Sequence, residues 1–217
     1  MPALRPPAKE KPRVGRPAVL TEQERARRIR RAAEQVFFRT GYGAATMEEI
    51  AACTGMSKRT LYAFYPDKAS LLNAVIEDVE DFPLPAAPQA TDWAGLVAEL
   101  RQRMLDIARL SMSDRQLRLT RLAISEAVTQ PALMESFLNR VIMRAAEHVN
   151  AGARALRNVD PTLDARELER LGTTAYFAGV GNLHLMGLFG KRDDAEVKRL
   201  PERIDAALAM VGIHEKR

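Results

Sequence analysis

Apolar residues in the N-terminal third of the chain recur at helical spacing and predict four helices. Each of these helices is predicted to begin at a polar N-cap residue, and the first two caps are followed by a glutamate three residues later, as in a capping box. The caps are Thr21, Thr46, Ser57 and Asp67. Gly41 ends the first helix and Pro66 closes the third. Four short helices with tight turns between them indicate a compact helical head.

The segment 81–92 interrupts the helical pattern with three prolines and marks a domain boundary or a crossing loop. Beyond it, apolar stripes predict further helices over 93–107, 117–128, 133–149, 164–190 and 204–211. No segment alternates as a strand would, and no internal repeat is evident. We therefore predict an all-α fold of about nine helices, with an arm at 1–20, a first domain at 21–80 and a second domain at 81–217.

Positive charge is concentrated in the N-terminal third. Residues 1–68 hold 14 Lys or Arg and 7 Asp or Glu, a balance of +7, whereas the remaining residues hold 19 and 21, a balance of −2. A localised positive surface favours a polyanionic partner, either nucleic acid or an acidic membrane surface. A solvated helix face has the same composition and stays open as an alternative at this point.

Cysteine usage and hydropathy narrow the class of protein. Cys53 is the single cysteine, so an internal disulfide is excluded and a reducing compartment is expected. The longest stretch without charged residues, 171–190, is interrupted by glycines and polar residues and makes a poor membrane span. No apolar block follows the N-terminal charges, so we expect no secretory signal, no membrane association and a cytoplasmic location.

Residues 46–65, TMEEIAACTGMSKRTLYAFY, have the spacing of a helix-turn-helix. Ala51 permits two helices to approach closely, Gly55 suits a left-handed turn, and Leu61 anchors the second helix on the first. An ordinary αα-hairpin is the alternative, and the basic arm beside the motif favours the DNA-binding interpretation.

The segment FFRTGYGAATMEEIAACTGMSKRTLYAFYPDKASLL, within residues 29–76, resembles the N-terminal signature of TetR-family transcriptional regulators. ISEA near 124 and GNLHLMGLFG near 181 are similar to the AefR-type subgroup of that family. The resemblance implies a homodimer with two helix-turn-helix heads on a double-stranded, pseudo-palindromic operator. It also implies that 81–217 forms a helical bundle for dimerisation and for binding an unknown small-molecule effector.

The resemblance also implies a set of DNA contacts on the recognition helix, residues 57–65. Lys58 or Arg59 would read guanine in the major groove. The remaining predicted DNA-binding residues are Ser57, Thr60, Tyr62, Thr46 at the start of its helix and Lys68 at the family's phosphate-contacting position. The sequence departs from the family at Phe64, and as a consequence this residue cannot hydrogen-bond a phosphate. Tyr65 needs a partner for its hydroxyl if it fills a position in the core. Arg13 to Pro17 in the arm either enter the minor groove or form a solubilising tail.

The C-terminal helices supply candidates for the effector site and the dimer interface. Adaptable and aromatic side chains are candidates for an apolar pocket: Trp93, Met104, Phe137, Tyr176 and Phe177. The thin face of the long helix predicts a dimer interface at Ala175, Gly179, Leu183, Gly187 and, on the last helix, Leu208. Packing of that face within the same chain is the alternative. His184 is interpreted as a satisfied buried or interface histidine.

No catalytic constellation is recognisable in the sequence. The three histidines lack partners at metal-ligand spacing, no nucleophile motif or phosphate loop is present, and Cys53 is interpreted as an inert filler. We therefore expect no enzyme activity, no metal and no cofactor. The predicted function is a DNA-binding regulator, a repressor released by a largely apolar effector. The alternatives are an activator, an effector-blind regulator or a helical small-molecule carrier.

Overall fold

A computed structural model describes residues 20–78 and 87–214, and every regular element in these residues is helical. The helices are α1 Glu22–Ala44, α2 Met47–Thr54, α3 Lys58–Phe64, α4 Lys68–Glu77, α5 Trp93–Ser111, α6 Asp114–Glu126, α7 Pro131–Phe137, α8 Met143–Ala155, α9 Ala165–Leu188, α10 Asp194–Lys198 and α11 Leu200–Met210. A π-helical turn, Leu138–Ile142, joins α7 to α8, and the 3₁₀ turn Leu156–Asn158 follows α8. The predicted all-α class is confirmed. The short helix α10 is the element that the apolar pattern did not predict.

The helix starts follow the predicted caps. At α1, the Glu24 amide donates to Thr21 Oγ1 at 3.2 Å and the Thr21 amide donates to Glu24 Oε2 at 2.7 Å, which completes the capping box. At α2, the Glu49 amide donates to Thr46 Oγ1 at 3.1 Å, but the Glu49 carboxylate pairs with Arg39 at 2.6 Å instead of returning to the cap. The second box is therefore only half formed, because a tertiary ion pair competes for its glutamate.

Two apolar cores organise the chain. One core joins α5, α8, α9 and α11 around Leu100, Met104 and Ile204. The other fills the head made by α1–α4, and it also takes in apolar residues from α6, α7 and the π turn, among them Leu119 and Phe137. The predicted boundary at 81–92 separates the helices along the sequence, yet α6 and α7 pack into the core of the head.

The thin face of α9 packs inside the chain. Gly179 lies against α11, where an added Cβ would come within 3.4 Å of the Arg203 carbonyl oxygen, and Gly187 lies against Leu117 of α6. All five residues predicted for the dimer interface are buried in one chain: Ala175, Gly179, Leu183, Gly187 and Leu208. That prediction is corrected, because surfaces already covered by α6 and α11 cannot receive a partner. This face packs within the chain, which is the alternative that the sequence left open.

The opposite face of α9 is apolar and exposed. Four apolar residues are exposed here, Phe177, Leu185 and Met186 on α9 and Phe189 at its C-cap, with Phe177 63% and Phe189 70% exposed. Met210, at the end of α11, is 79% exposed. An exposed apolar stripe of this kind is characteristic of interaction surfaces.

Candidate nucleic-acid interface

The helix-turn-helix is built on a small buried core. Ala51 on α2 and Leu61 on α3 are buried, and both belong to the apolar core of the head. Gly55 ends α2 in the left-handed conformation, with φ of 65° and ψ of 19°. The Thr54 hydroxyl donates to the Ala51 carbonyl at 2.8 Å and accepts from the Met56 amide at 3.1 Å, which ties the turn to α2. The geometry of the predicted motif is present in the described structure.

The recognition helix α3 presents a polar face to solvent. Ser57 caps it, because its hydroxyl oxygen accepts the Thr60 amide at 3.1 Å. Lys58, Arg59 and Tyr62 are exposed on the first turns of α3. Lys58 forms an ion pair with Glu48 of α2 at 2.9 Å, whereas Arg59 forms none with the described residues. The arginine side chain is therefore the less restrained of the two candidate base readers.

Lys68 is engaged inside the head. Its ammonium group lies 2.6, 3.2 and 2.8 Å from the carbonyl oxygens of Tyr42, Gly43 and Ala45, and it lies 4.4 Å from the centroid of the Tyr42 ring. Three carbonyls match the three N–H donors of an ammonium group. These contacts join α4 to the end of α1, where Gly41 interrupts the helix with φ of 78°. A phosphate contact by Lys68 stays a prediction, and a phosphate would compete with these carbonyls.

Thr46 and Tyr65 lie at the two ends of the helix-turn-helix segment. Thr46 is exposed at the N-terminus of α2, where free amide groups favour an anion. The Tyr65 hydroxyl accepts a 3.4 Å hydrogen bond from Arg30, which supplies the partner that its position requires. Phe64 packs against the core of the head.

Ion pairs connect the head to the C-terminal helices. Arg115 of α6 binds both carboxylate oxygens of Glu34 on α1, at 2.8 to 3.1 Å, and donates to the Asp78 carbonyl at 3.2 Å. Arg140 in the π turn pairs with Glu77 at the end of α4 at 3.0 Å. The sequence analysis did not identify these pairs, because they join residues that are far apart along the chain.

A largely apolar cavity of about 180 Å³ lies beside α6 in the C-terminal helices. Its lining residues are Ile107, Leu110, Ser111, Gln116, Thr120, Val141, Ile142, Ala145, Ala146, Val149, Thr173, Tyr176, Phe177 and His184. Tyr176 and Phe177 were predicted, while three other candidates lie elsewhere. Met104 is buried in the C-terminal core, Phe137 lies in the core of the head, and Trp93 donates to the His214 carbonyl at 2.7 Å.

His184 was interpreted as a satisfied histidine, and the structure corrects this. Its Nε2 atom is buried and has no hydrogen-bond partner among the described residues. Burial lowers the pKa of His184, which favours the neutral ring. The residue belongs to the wall of the cavity, so a histidine that looked structural in sequence places a buried, unpartnered polar atom beside it.

Other candidate chemistries receive little support in the part of the chain that is described. Cys53 is exposed. No group of three or more His, Cys, Asp or Glu residues within 20–78 and 87–214 is placed to hold a metal ion. None of the described helices is long and apolar enough to cross a membrane. Arg13 to Pro17, predicted for the minor groove, lie outside the described residues.

Comparison with known proteins agrees with this geometry. Residues 29–75 match the model of the bacterial regulatory proteins of the tetR family. No curated protein matches the sequence. Many solved structures share the fold, and three of them illustrate it. A protein described as a TetR-family transcriptional regulator from Mesorhizobium loti is 23% identical, with a TM-score of 0.68 over 88% of this chain and 98% of the other.

The second is a TetR transcriptional regulator from Agrobacterium tumefaciens, 24% identical, with a TM-score of 0.68 over 86% of this chain and 93% of the other. The third is the flavonoid-responsive regulator FrrA, 22% identical, with a TM-score of 0.64 over 87% and 95%. The matched segment contains the whole helix-turn-helix, and the shared fold extends through the C-terminal helices. Residues 29–75 of the chain are therefore similar to the bacterial regulatory proteins of the tetR family, and the described helices share the fold of solved structures described as TetR-family regulators.

Proposed function

We propose that the protein binds a pseudo-palindromic operator as a homodimer and represses transcription until a small, largely apolar effector releases it. The exposed face of α3, held on a buried core by the left-handed turn at Gly55, carries this proposal. A recognition helix with exposed basic residues at its N-terminal end has the form required for the major groove. A dimer seated on an operator excludes other proteins from that DNA, so release by the effector restores transcription.

Within this function, Arg59 reads bases and Lys58 has a lesser role. The Lys58 ammonium would have to leave Glu48 to reach a base, whereas the Arg59 guanidinium makes no ion pair in the described structure. Arginine also matches the O6 and N7 acceptors of guanine with two parallel donors. Thr46, Ser57, Thr60 and Tyr62 then contact the sugar-phosphate backbone and fix the register.

The homodimer forms through the exposed apolar stripe of α9 together with the end of α11. Phe177, Leu185, Met186 and Phe189 form this stripe, and Met210, at the end of α11, is also exposed. A two-fold axis near the stripe would pair α9 and α11 with their copies in a four-helix arrangement. This arrangement retains the helical dimer that the sequence predicts, with the interface on the opposite face of α9.

Effector binding is coupled to the head through α6. Gln116 and Thr120 of this helix line the cavity, while Arg115, their neighbour on the same helix, binds Glu34 of α1. A ligand that displaces α6 therefore acts directly on the head and changes the spacing of the two recognition helices. The fold shared with a flavonoid-responsive regulator supports control by a small molecule.

Sequencing the genomic fragments that the purified protein retains tests the proposal. We expect a pseudo-palindrome with half-sites about one helical turn apart or slightly more. If six to ten phosphates are contacted, affinity should fall by about 10³ to 10⁵ between 50 and 200 mM salt. A small-molecule carrier would select no specific site at any salt concentration, and that result would exclude the regulator.

A further inference from the structure

The cavity beside α6 is small and has an apolar wall. Its volume of about 180 Å³ is set by aliphatic residues of α5 and α8 and by Tyr176 and Phe177 of α9. An engineered apolar cavity of about 150 Å³ is known to accept benzene. The space therefore suits a single aromatic ring with short substituents, and the two aromatic side chains of α9 in its wall already pack edge to face on each other, with ring centroids 5.8 Å apart.

The lining residues carry no formal charge when His184 is neutral. None of them is Asp, Glu, Lys or Arg. Transfer of an ionised ligand into such a cavity is unfavourable, because no lining group compensates the lost hydration. The chemistry of the wall thus selects a neutral molecule and excludes a carboxylate such as benzoate.

Most polar groups of the cavity already have partners. The Thr120 hydroxyl donates to the Gln116 carbonyl at 2.8 Å, and the hydroxyls of Ser111 and Tyr176 lie 3.3 Å apart. His184 Nε2 differs, because it is buried without a partner among the described residues. A buried polar atom in this state is costly, and a ligand that hydrogen-bonds to it recovers the loss.

We propose that the effector is a neutral monocyclic phenol whose hydroxyl group hydrogen-bonds to His184 Nε2 while its ring fills the apolar part of the cavity. The inference rests on the proposed function and names the ligand class of the same site. A phenol combines the required ring with a hydroxyl that donates strongly to a neutral imidazole nitrogen. Arg103 and His148, the buried polar pair between α5 and α8, do not line the cavity.

Calorimetric titration of the full-length protein without DNA tests the proposal with 4-ethylphenol, its methyl ether 4-ethylanisole, 4-ethylcyclohexanol and benzoate as probes. We expect 4-ethylphenol to bind, and the ether, which has no donor, to bind at least about tenfold more weakly, since one hydrogen bond to a buried group is worth about that factor. The cyclohexanol keeps a hydroxyl but lacks the aromatic ring and the more acidic phenolic proton, so it should also bind more weakly than 4-ethylphenol. Benzoate should not bind. Equal affinity for 4-ethylphenol and either the ether or the cyclohexanol, or tighter binding of benzoate, would overturn the proposal.

Variants of the protein provide a second test of the same proposal. His184→Leu should weaken 4-ethylphenol by about tenfold and leave 4-ethylanisole unchanged. His148→Leu, which removes another buried histidine outside the cavity, should alter neither affinity. If His184→Leu does not fold, His184→Gln keeps a polar group at the site and the comparison of ligands in the native protein still decides. Unchanged phenol affinity in a folded His184→Leu protein would contradict the assignment.

Operator binding in the presence of 4-ethylphenol then separates this inference from the proposed function. If the phenol binds through His184 and releases the operator, both are supported. If it binds through His184 without releasing the operator, the ligand class stands and release by the effector fails. If the protein selects a specific operator but 4-ethylphenol does not bind, the phenol inference fails while the proposed DNA-binding function stands.

Discussion

Arg59 and Lys58 are neighbours on α3 but differ in what restrains them. The Lys58 ammonium is held 2.9 Å from Glu48, and the Arg59 guanidinium forms no ion pair with the described residues. At the scale of single residues, the ion pair with Glu48 of α2 distinguishes Lys58 from Arg59, which the sequence alone did not.

Arg59→Ala is expected to reduce operator affinity by about 1 to 3 kcal/mol and to relax base preference at one symmetric pair of positions, because a two-donor contact with guanine is lost. Lys58→Ala, the matched control, should leave base preference unchanged. Binding to randomised half-sites at two salt concentrations measures both effects. A loss of preference in Lys58→Ala with none in Arg59→Ala would reverse the assignment.

His148 links stability to pH. Burial is the main cause that lowers the pKa of His148 below its ordinary value of 6.5, Arg103 adds to the lowering and Asp106 opposes it. Between the folded and unfolded pKa values the unfolded chain binds more protons, so the free energy of unfolding falls as pH drops below about 6.5 and is independent of this group above it. His184 has a shift of the same sign.

His148→Leu should therefore flatten the pH dependence of stability, although His184 preserves part of it. Urea unfolding at pH values of about 7.5 and about 5.5 measures the change. His214→Gln, at an exposed histidine, serves as the control and should retain the native dependence. If His148→Leu loses as much stability on acidification as the native protein, proton uptake at His148 is not the cause.

Helix α6 contacts both the cavity and the head. It lines the cavity with Gln116 and Thr120, it binds Glu34 of α1 through Arg115, and Leu119 packs into the core of the head. At the scale of elements, α6 therefore connects the cavity to the helix-turn-helix head, together with the π turn, where Val141 lines the cavity and packs into the core of the head.

Arg115→Gln should reduce the coupling between effector and operator more than it reduces stability. The ion pair is partly exposed, so its loss should cost about 1 kcal/mol or less in unfolding free energy. The affinity of the 4-ethylphenol probe should become nearly equal with and without operator, since coupling is reciprocal. Arg170→Gln, which breaks an exposed pair within α9, is the control and should keep the native ratio of affinities. Native coupling in Arg115→Gln would show that the Arg115–Glu34 pair does not carry the coupling.

At the scale of the whole molecule, the proposed assembly depends on the two faces of α9. The small residues of this helix are covered by α6 and α11 of the same chain, which leaves the stripe at Phe177, Leu185, Met186 and Phe189 for a second copy. The separation of the two recognition helices, and therefore the half-site spacing, depends on this interface.

Leu185→Glu is expected to convert the dimer to a monomer with unchanged helical content, because an unpaired carboxylate would be buried in an apolar interface. Sedimentation velocity and circular dichroism measure the two quantities. Val128→Glu replaces an apolar residue that is 91% exposed outside the stripe, and it should remain dimeric. A dimeric Leu185→Glu protein would show that the interface lies elsewhere.

Local sequence determined the helices, their caps and the helix-turn-helix. The capping box at Thr21, the left-handed turn at Gly55 and the anchoring Leu61 each depend on a few neighbouring residues, so their chemistry is visible in the chain itself. The same holds for the exposure of Arg59 and Tyr62 at the start of α3.

Tertiary structure decided which partner each surface meets. Gly179 and Leu208 are residue types that suit an interface between helices. Only the position of α11 showed that this interface lies within one chain. The Lys68 ammonium donates to three carbonyl oxygens at the end of α1. His184 Nε2, in contrast, has no hydrogen-bond partner among the described residues. Periodicity identifies the buried face of a helix, whereas the identity of what covers that face depends on contacts between residues far apart in sequence.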